Sequence, residues 1–207
     1  MRVCSPSFEI LNRPSGEAVL RHLELCGRVC YKSETNIGEG SAEKLIRHML
    51  SRGHESPIEH FSISVRIICD RGVSHEWVRH RIASYSQEST RYCNYSQAKF
   101  GNELTFIKPY FAEPDTPLYS AWELAMRNAE KAYFDMLSIG AKPEDARSVL
   151  PNSIKTEFIC TMNLREWRHF FRLRCAPAAH PAMREISIPL LMEFKAMLPV
   201  LFADIEL

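Results

Sequence analysis

Residues 79 to 95, RHRIASYSQESTRYCNY, gather the densest chemistry in this 207-residue chain. Arg79, His80, Arg81 and Arg91 bracket a run of hydroxyls and amides: Ser84, Tyr85, Ser86, Gln87, Ser89, Thr90 and Tyr92. Guanidinium groups stay charged and present a planar fork that grips phosphate or carboxylate at two points. Short hydroxyl and amide groups beside them can hydrogen-bond a polar ring. The run therefore suits an anionic, ring-bearing ligand, and composition alone leaves a solvated, turn-forming loop as the plainer alternative. The chain leans the same way, since 18 of its 26 basic residues are arginine.

Other chemistry-bearing residues are less telling. His54, His60, His75 and His80 cluster in sequence, but no HExxH or paired Cys/His spacing accompanies them, so no metal site is expected. The seven cysteines form an odd set without a CxxC pair, which reads as reduced thiols in the cytoplasm. Cys69 and Cys160 fall in strand patterns and read as small buried hydrophobes. Cys93 and Cys175 adjoin the candidate site without an assigned role. Trp77, Trp122 and Trp167 lie at core-facing helical positions, and His22 and His48 read as surface residues.

Arg79, His80, Arg81, Ser84, Ser89, Arg91 and Tyr92 fill every fixed position of RHRxxSxxxxSxRY, and so the run resembles the signature of the flavin-dependent thymidylate synthases. The likeness extends to HESPIEH at 54–60, Asn163-Leu164-Arg165, Leu173-Arg174 and AAHP at 178–181. The resemblance implies a mixed α+β domain with a small antiparallel sheet flanked by helices, working as a homotetramer with sites at subunit interfaces. It implies FAD as cofactor, dUMP as substrate, and NAD(P)H and 5,10-methylenetetrahydrofolate as co-substrates. The expected reaction is reductive methylation of dUMP to dTMP.

Carried over by position, Arg79, His80 and Arg81 resemble the flavin-contacting triplet. Ser56 resembles an early FAD contact, and His54 a histidine near the flavin. Asn163, Leu164, Arg165 and His169 resemble a second FAD group. Gln87, Glu88, Ser89, Thr90 and Arg91 resemble the loop around dUMP, with Gln87 also on the cofactor side. Glu76, Trp77 and Val78 precede the triplet on the nucleotide side. Many family members carry Gln where this chain has Glu76, and a carboxylate beside a phosphate costs Coulomb energy unless an arginine intervenes. Arg147 and Arg174 resemble two further dUMP-binding arginines, the second at the pyrimidine. Ser89 is the tempting nucleophile, yet no base is assigned to activate it, so it is read as a dUMP ligand.

The elements that must position these groups follow from periodicity. Ser15 and Ser41 are placed as caps of two amphipathic helices, the first with Val19, Leu20, Leu23 and Cys26 inward, the second with Leu45, Ile46, Met49 and Leu50 inward and Gly53 as its stop. Phe61, Ile63, Val65 and Ile67 alternate as a strand, and Asp70 caps a short helix bearing Val73 and Trp77. The segment from Tyr92 to Pro117 is turn-rich. A long helix follows, with Leu118, Trp122, Ala125, Ala129, Ala132 and Met136 as its apolar stripe and Gly140 at its end; Pro143 starts another helix to Leu150. A second alternation, Ile154, Phe158, Cys160 and Met162, leads to Asn163 and Glu166, which are spaced as a capping box for a helix to Arg174. Helical period resumes from Pro181 to Phe202, with a kink expected at Pro189.

The two strand–helix units echo each other, EWVRHR against EWRHFFRLR, either by chance or because two cationic helix faces serve one site. Without linker or low-complexity segments, residues 1–207 read as one domain. A formal charge of +1 gives no general pull toward nucleic acid or anionic membrane, no apolar run approaches the roughly 20 residues that span a bilayer, and the N-terminus lacks the apolar stretch of a secretory signal. An RNA-binding protein or a metal-dependent nucleotide hydrolase are the competing classes; the first lacks net basic charge and a recognised RNA module.

Overall fold

Alternation of apolar side chains builds the two long strands of the fold. The computed structural model describes residues 1–97 and 101–207, so residues 98–100 of the turn-rich segment lie outside the described residues. The strands are β1 (Arg2–Cys4), β2 (Ser7–Ile10), β3 (Ser62–Asp70), β4 (Ser84–Gln87), β5 (Thr105–Ile107) and β6 (Lys155–Asn163). The helices are α1 (Gly16–Val29), α2 (Ser41–Ser51), α3 (Arg71–Trp77), α4 (Pro117–Ser138), α5 (Pro143–Ala146), α6 (Leu164–Arg174), α7 (Pro181–Met197) and α8 (Pro199–Phe202). This is a mixed α and β fold with a small antiparallel sheet of order β2-β3-β6-β4 and a separate parallel pair, β1-β5. The parallel pair, with Val3 opposite Phe106, was not foreseen. Among the described residues no helix is long and apolar enough to cross a membrane.

The chain forms two compact units. The first comprises Met1–Ser7, Ile67–Arg79 and Tyr85–Ile159. Its core joins Tyr95, Leu104, Phe106, Met126, Tyr133, Ala146 and Ile154. On α4 the fully buried residues are Met126 and Tyr133; of the stripe that spacing suggested, Trp122 and Met136 pack against this core, whereas Leu118 and Ala125 are exposed. The expected helix to Leu150 shortens to α5 and a 3₁₀ turn, Arg147–Val149. The turn-rich segment also contains β5, which sequence missed. Asp70 caps α3 as expected, its Oδ1 accepting the Val73 N–H at 2.7 Å.

The second unit comprises Phe8–Arg66, His80–Ser84 and Cys160–Leu207. Its core centres on Trp167, Phe170, Phe171, Phe194 and Phe202, whose rings meet at centroid distances from 5.1 to 5.9 Å. Burial of each is worth roughly 1.5–3 kcal/mol. The Trp167 indole N–H, which burial would otherwise strand, donates to the Ile63 carbonyl at 3.1 Å. Helix α2 starts one residue earlier than expected: Gly40, at φ +68°, takes the cap position and Ser41 turns its hydroxyl back to the Gly38 carbonyl. Ser15 sits at the N-cap of α1 without a side-chain cap bond. Helix α7 runs through Pro189 and ends at Met197, with α8 starting at Pro199.

Candidate active site

Helix α6 builds the first centre. Asn163 Oδ1 accepts the Glu166 N–H at 2.9 Å and starts the helix directly off β6. A capping box would turn the Glu166 side chain back to the Asn163 N–H; instead its Oε1 lies 3.3 Å from His80 Nδ1. On the far side of the imidazole, Arg174 Nε–H donates to His80 Nε2 at 3.0 Å. His80 is buried, at 5% exposure, with its ring edge-on to Phe170 and His169 at 5.0 and 5.7 Å. Burial first, then the Arg174 and His169 charges, push its pKa from 6.5 down to about 4. His80 is thus neutral at pH 7, and its link to Glu166 is a hydrogen bond rather than an ion pair. Burial raises the Glu166 carboxyl above its ordinary value, against the pull of His169. Ser187 Oγ donates to the Arg174 carbonyl at 2.8 Å and ties the end of α6 to α7.

His80, Glu166 and His169 offer ligand atoms within 4.8 Å of one another, a grouping that lies too far apart in sequence to be read there. A cation bound through His80 Nδ1 would conflict with the Arg174 bond. With the Nε2 lone pair already accepting the Arg174 N–H hydrogen bond, the ring would have to become an imidazolate.

A cavity of about 480 Å³ opens beside this centre, lined by Glu55, Glu59, Ile82, Asn163, Arg165, Glu166, His169 and Arg172. Its carboxylates are already matched. Arg165 Nη1 meets Glu59 at 2.6 Å, and Glu55 lies 3.4 Å from Arg165, 3.5 Å from Arg168 and 3.7 Å from Arg172. This ties HESPIEH to α6. The guanidiniums of Arg165 and Arg172, the Asn163 amide, the His169 ring and exposed Ile82 form a donor-rich, partly apolar wall, which fits part of a dinucleotide such as FAD. The volume suits one portion of it. His54 and Ser56 are exposed at the start of the same segment, and Arg81 is exposed beside Ile82. Leu164 is fully buried with its N–H given to the Phe61 carbonyl.

The first unit carries the other group. A cavity of about 380 Å³ is lined by Arg71, Thr90, Glu144, Arg147, Ser148 and Leu150. Arg147 Nη1 donates to Thr90 Oγ1 at 3.3 Å. Arg91 lies 3.8 Å from Glu144 and stacks over Tyr92. Arg71 is a site residue that sequence missed, because it stands eight residues before the signature, at the first turn of α3. Gln87 Nε2 donates to Ser74 Oγ and Thr156 Oγ1, both at 3.1 Å. The Glu88 carboxylate takes Lys155 Nζ and the Tyr95 hydroxyl, both at 2.9 Å, so it is neutralised in place. Ser89 Oγ accepts the Arg91 N–H at 3.3 Å; among the described residues no histidine or carboxylate reaches it. Trp77 is fully buried against Phe158, as the packing reading had it, and its carbonyl accepts the Tyr85 hydroxyl. Glu76 and Val78 are half-buried at the end of α3, and Arg79 is exposed.

Fold and cavities define a mixed α and β protein with two cavities that are each lined by two arginines. Residues 17–200 match the family model of the thymidylate synthase complementing proteins, Thy1. The chain is 39% identical over 163 residues to the flavin-dependent thymidylate synthase of Pyrococcus furiosus, across 78% of this chain and 66% of that one. It is 35% identical over 187 residues to the enzyme of that name from Geobacter sulfurreducens, across 87% of this chain and 79% of that one. The chain thus spans just under two thirds of the Pyrococcus relative's length. The fold also matches a crystal structure of a UMP/dUMP methylase, PolB, from Streptomyces cacaoi, bound with 5-Br dUMP. That likeness has a TM-score of 0.77 and 24% identity over 98% of this chain and 96% of that one, and it speaks to the fold. The chain belongs to the Thy1 family of flavin-dependent thymidylate synthases.

Proposed function

We propose that this protein reductively methylates dUMP to dTMP. The balanced reaction takes dUMP, 5,10-methylenetetrahydrofolate, NAD(P)H and a proton to dTMP, tetrahydrofolate and NAD(P)⁺. FAD, when bound, supplies the relay of reducing equivalents from NAD(P)H. The observation that carries this reading is the cavity where Arg147, hydrogen-bonded to Thr90 of the signature run, stands beside Arg71. Two permanently charged guanidiniums and a hydroxyl suit a nucleoside monophosphate. Arg79 and Arg91 add charge to the same ligand, and Glu76, Trp77 and Val78 would serve it through their backbone.

Ser89 acts as a ligand of dUMP, since nothing in reach would deprotonate it. Arg174, held by His80, stabilises negative charge that develops on the pyrimidine. Asn163, Leu164, Arg165 and His169, with His54, Ser56, His80, Arg81 and Gln87, hold the flavin; the partial fit of the cavity beside α6 supports a site completed by other subunits of a homotetramer. The relatives' names and the dUMP analogue held by the Streptomyces methylase support the substrate assignment. The reaction is assigned to the cytoplasm. The test is flavin absorbance of the purified protein after FAD addition, followed by NADPH oxidation with and without dUMP. Absence of both flavin binding and dUMP-dependent oxidation would refute the reading.

A further inference from the structure

The Arg174 bond to His80 has a requirement at the opposite ring nitrogen. Nε2 must present a lone pair to accept the Arg174 N–H, so in the neutral ring the proton sits on Nδ1. That proton needs an acceptor in a buried site, and Glu166 Oε1 is there at 3.3 Å. Glu166 itself is 7% exposed and its backbone is fixed by the Asn163 cap, so the carboxylate is delivered from the rigid first turn of α6. Free imidazole favours neither ring nitrogen strongly, and a hydrogen bond at one nitrogen selects the tautomer at the other.

We propose that Glu166 is a positioning residue: it holds His80 as the Nδ1–H tautomer, and His80 in turn fixes the Arg174 guanidinium for its work on the substrate ring. The catalytic part of this inference rests on the proposed dUMP methylation; the tautomer part stands on geometry alone. In this role Glu166 acts through His80, although it also lines the cavity beside α6. A side chain at the third position of a helix would ordinarily face its own cap, and its diversion to His80 is what marks it.

The experiment uses full-length protein labelled with ¹⁵N-histidine, with the His80 resonances assigned by their loss in His80→Gln. At pH 7 the wild type should show Nδ1 protonated and Nε2 bare. In Glu166→Ala the proton should move largely to Nε2, and kcat for dTMP formation should fall about tenfold or more. Measured on flavin-saturated protein, the KM for dUMP should change by less than about threefold, a split that general loosening of the fold would not produce. Should Glu166→Ala fail to fold, Glu166→Gln gives the same reading. Its amide presents either oxygen to Nδ1, keeping tautomer and rate together, or nitrogen, losing both together. A wild-type His80 protonated on Nε2 overturns the proposal, as does a variant that loses rate with its tautomer intact or shifts tautomer with its rate intact. If wild-type protein forms no dTMP at all, the methylation reading fails while the resonances still decide whether Glu166 sets the tautomer.

Discussion

Arg174 Nε–H and His80 Nε2 meet at 3.0 Å although 94 residues separate them in sequence. The bond holds one edge of the guanidinium in a fixed plane, anchored in turn by a neutral, buried imidazole. Arg174→Ala should therefore retain flavin and lose methylation by roughly two to three orders of magnitude, the scale on which preorganised charge stabilisation acts. Arg174→Lys keeps the charge but loses the Nε–H fork, and should recover little. Rapid-mixing measurement of dTMP formation on flavin-loaded protein checks both, and unchanged turnover would remove Arg174 from the chemistry.

Acid should weaken the fold through His80. Its folded pKa, about 4, lies below the ordinary 6.5, so its neutral burial stabilises fully above pH 6.5 and less as pH falls from 6.5 toward 4. Glu166, raised by burial above its ordinary 4.5, works in the opposite sense where it titrates. The thermal midpoint is thus expected to start falling as pH drops below 6.5. His80→Gln should flatten that limb; an equally steep limb in the variant would assign the acid sensitivity to other groups.

Removing Arg147 should weaken dUMP binding about ten- to hundredfold, the worth of a charge-assisted pair of bonds. Arg71→Ala should act in the same direction. Deoxyuridine, which lacks the phosphate, should bind wild type and Arg147→Ala alike when followed by calorimetry. A deoxyuridine affinity that falls in step with dUMP would move Arg147 away from the phosphate.

Arg168 is nearly fully buried and grips Asp204 with two bonds of 2.7 Å, while its Nε approaches Glu55. Asp204→Ala strands a buried guanidinium and should cost on the order of 2–4 kcal/mol in urea unfolding. Arg168→Met, apolar and similar in length, should cost less than Asp204→Ala. The reverse order would show that the pair itself is a net stabiliser of α6.

Period-2 alternation made β3 and β6 legible, because both strands bury every second side chain, and the Asx caps at Asp70 and Asn163 fixed where each turns into a helix. That part of the internal echo is structural. β4 was not legible, since Ser84–Gln87 is short and polar and owes its form to the neighbouring ladder. Family-like spacing pointed to His80, Asn163, Arg165, His169, Thr90 and Arg147; in the structure Asn163, Arg165 and His169 line one cavity, Thr90 and Arg147 line another, and His80 is bonded to Glu166 and Arg174. Arg71 escaped notice, and Glu166 was read as a capping-box residue, because their neighbours are set by tertiary contacts: Arg71 lines a cavity with Thr90 and Arg147, and Glu166 meets a histidine 86 residues away. The substitution-prone position Glu76 stays on α3, where its nucleotide role is a matter for the backbone.

The most direct test of the account is product identity. Flavin-loaded protein with dUMP, 5,10-methylenetetrahydrofolate and NADPH should yield dTMP and NADP⁺ in equal amounts by chromatography, and omission of any one reactant should abolish dTMP. NADPH consumption in the complete mixture with no dTMP above the flavin-free control would contradict it.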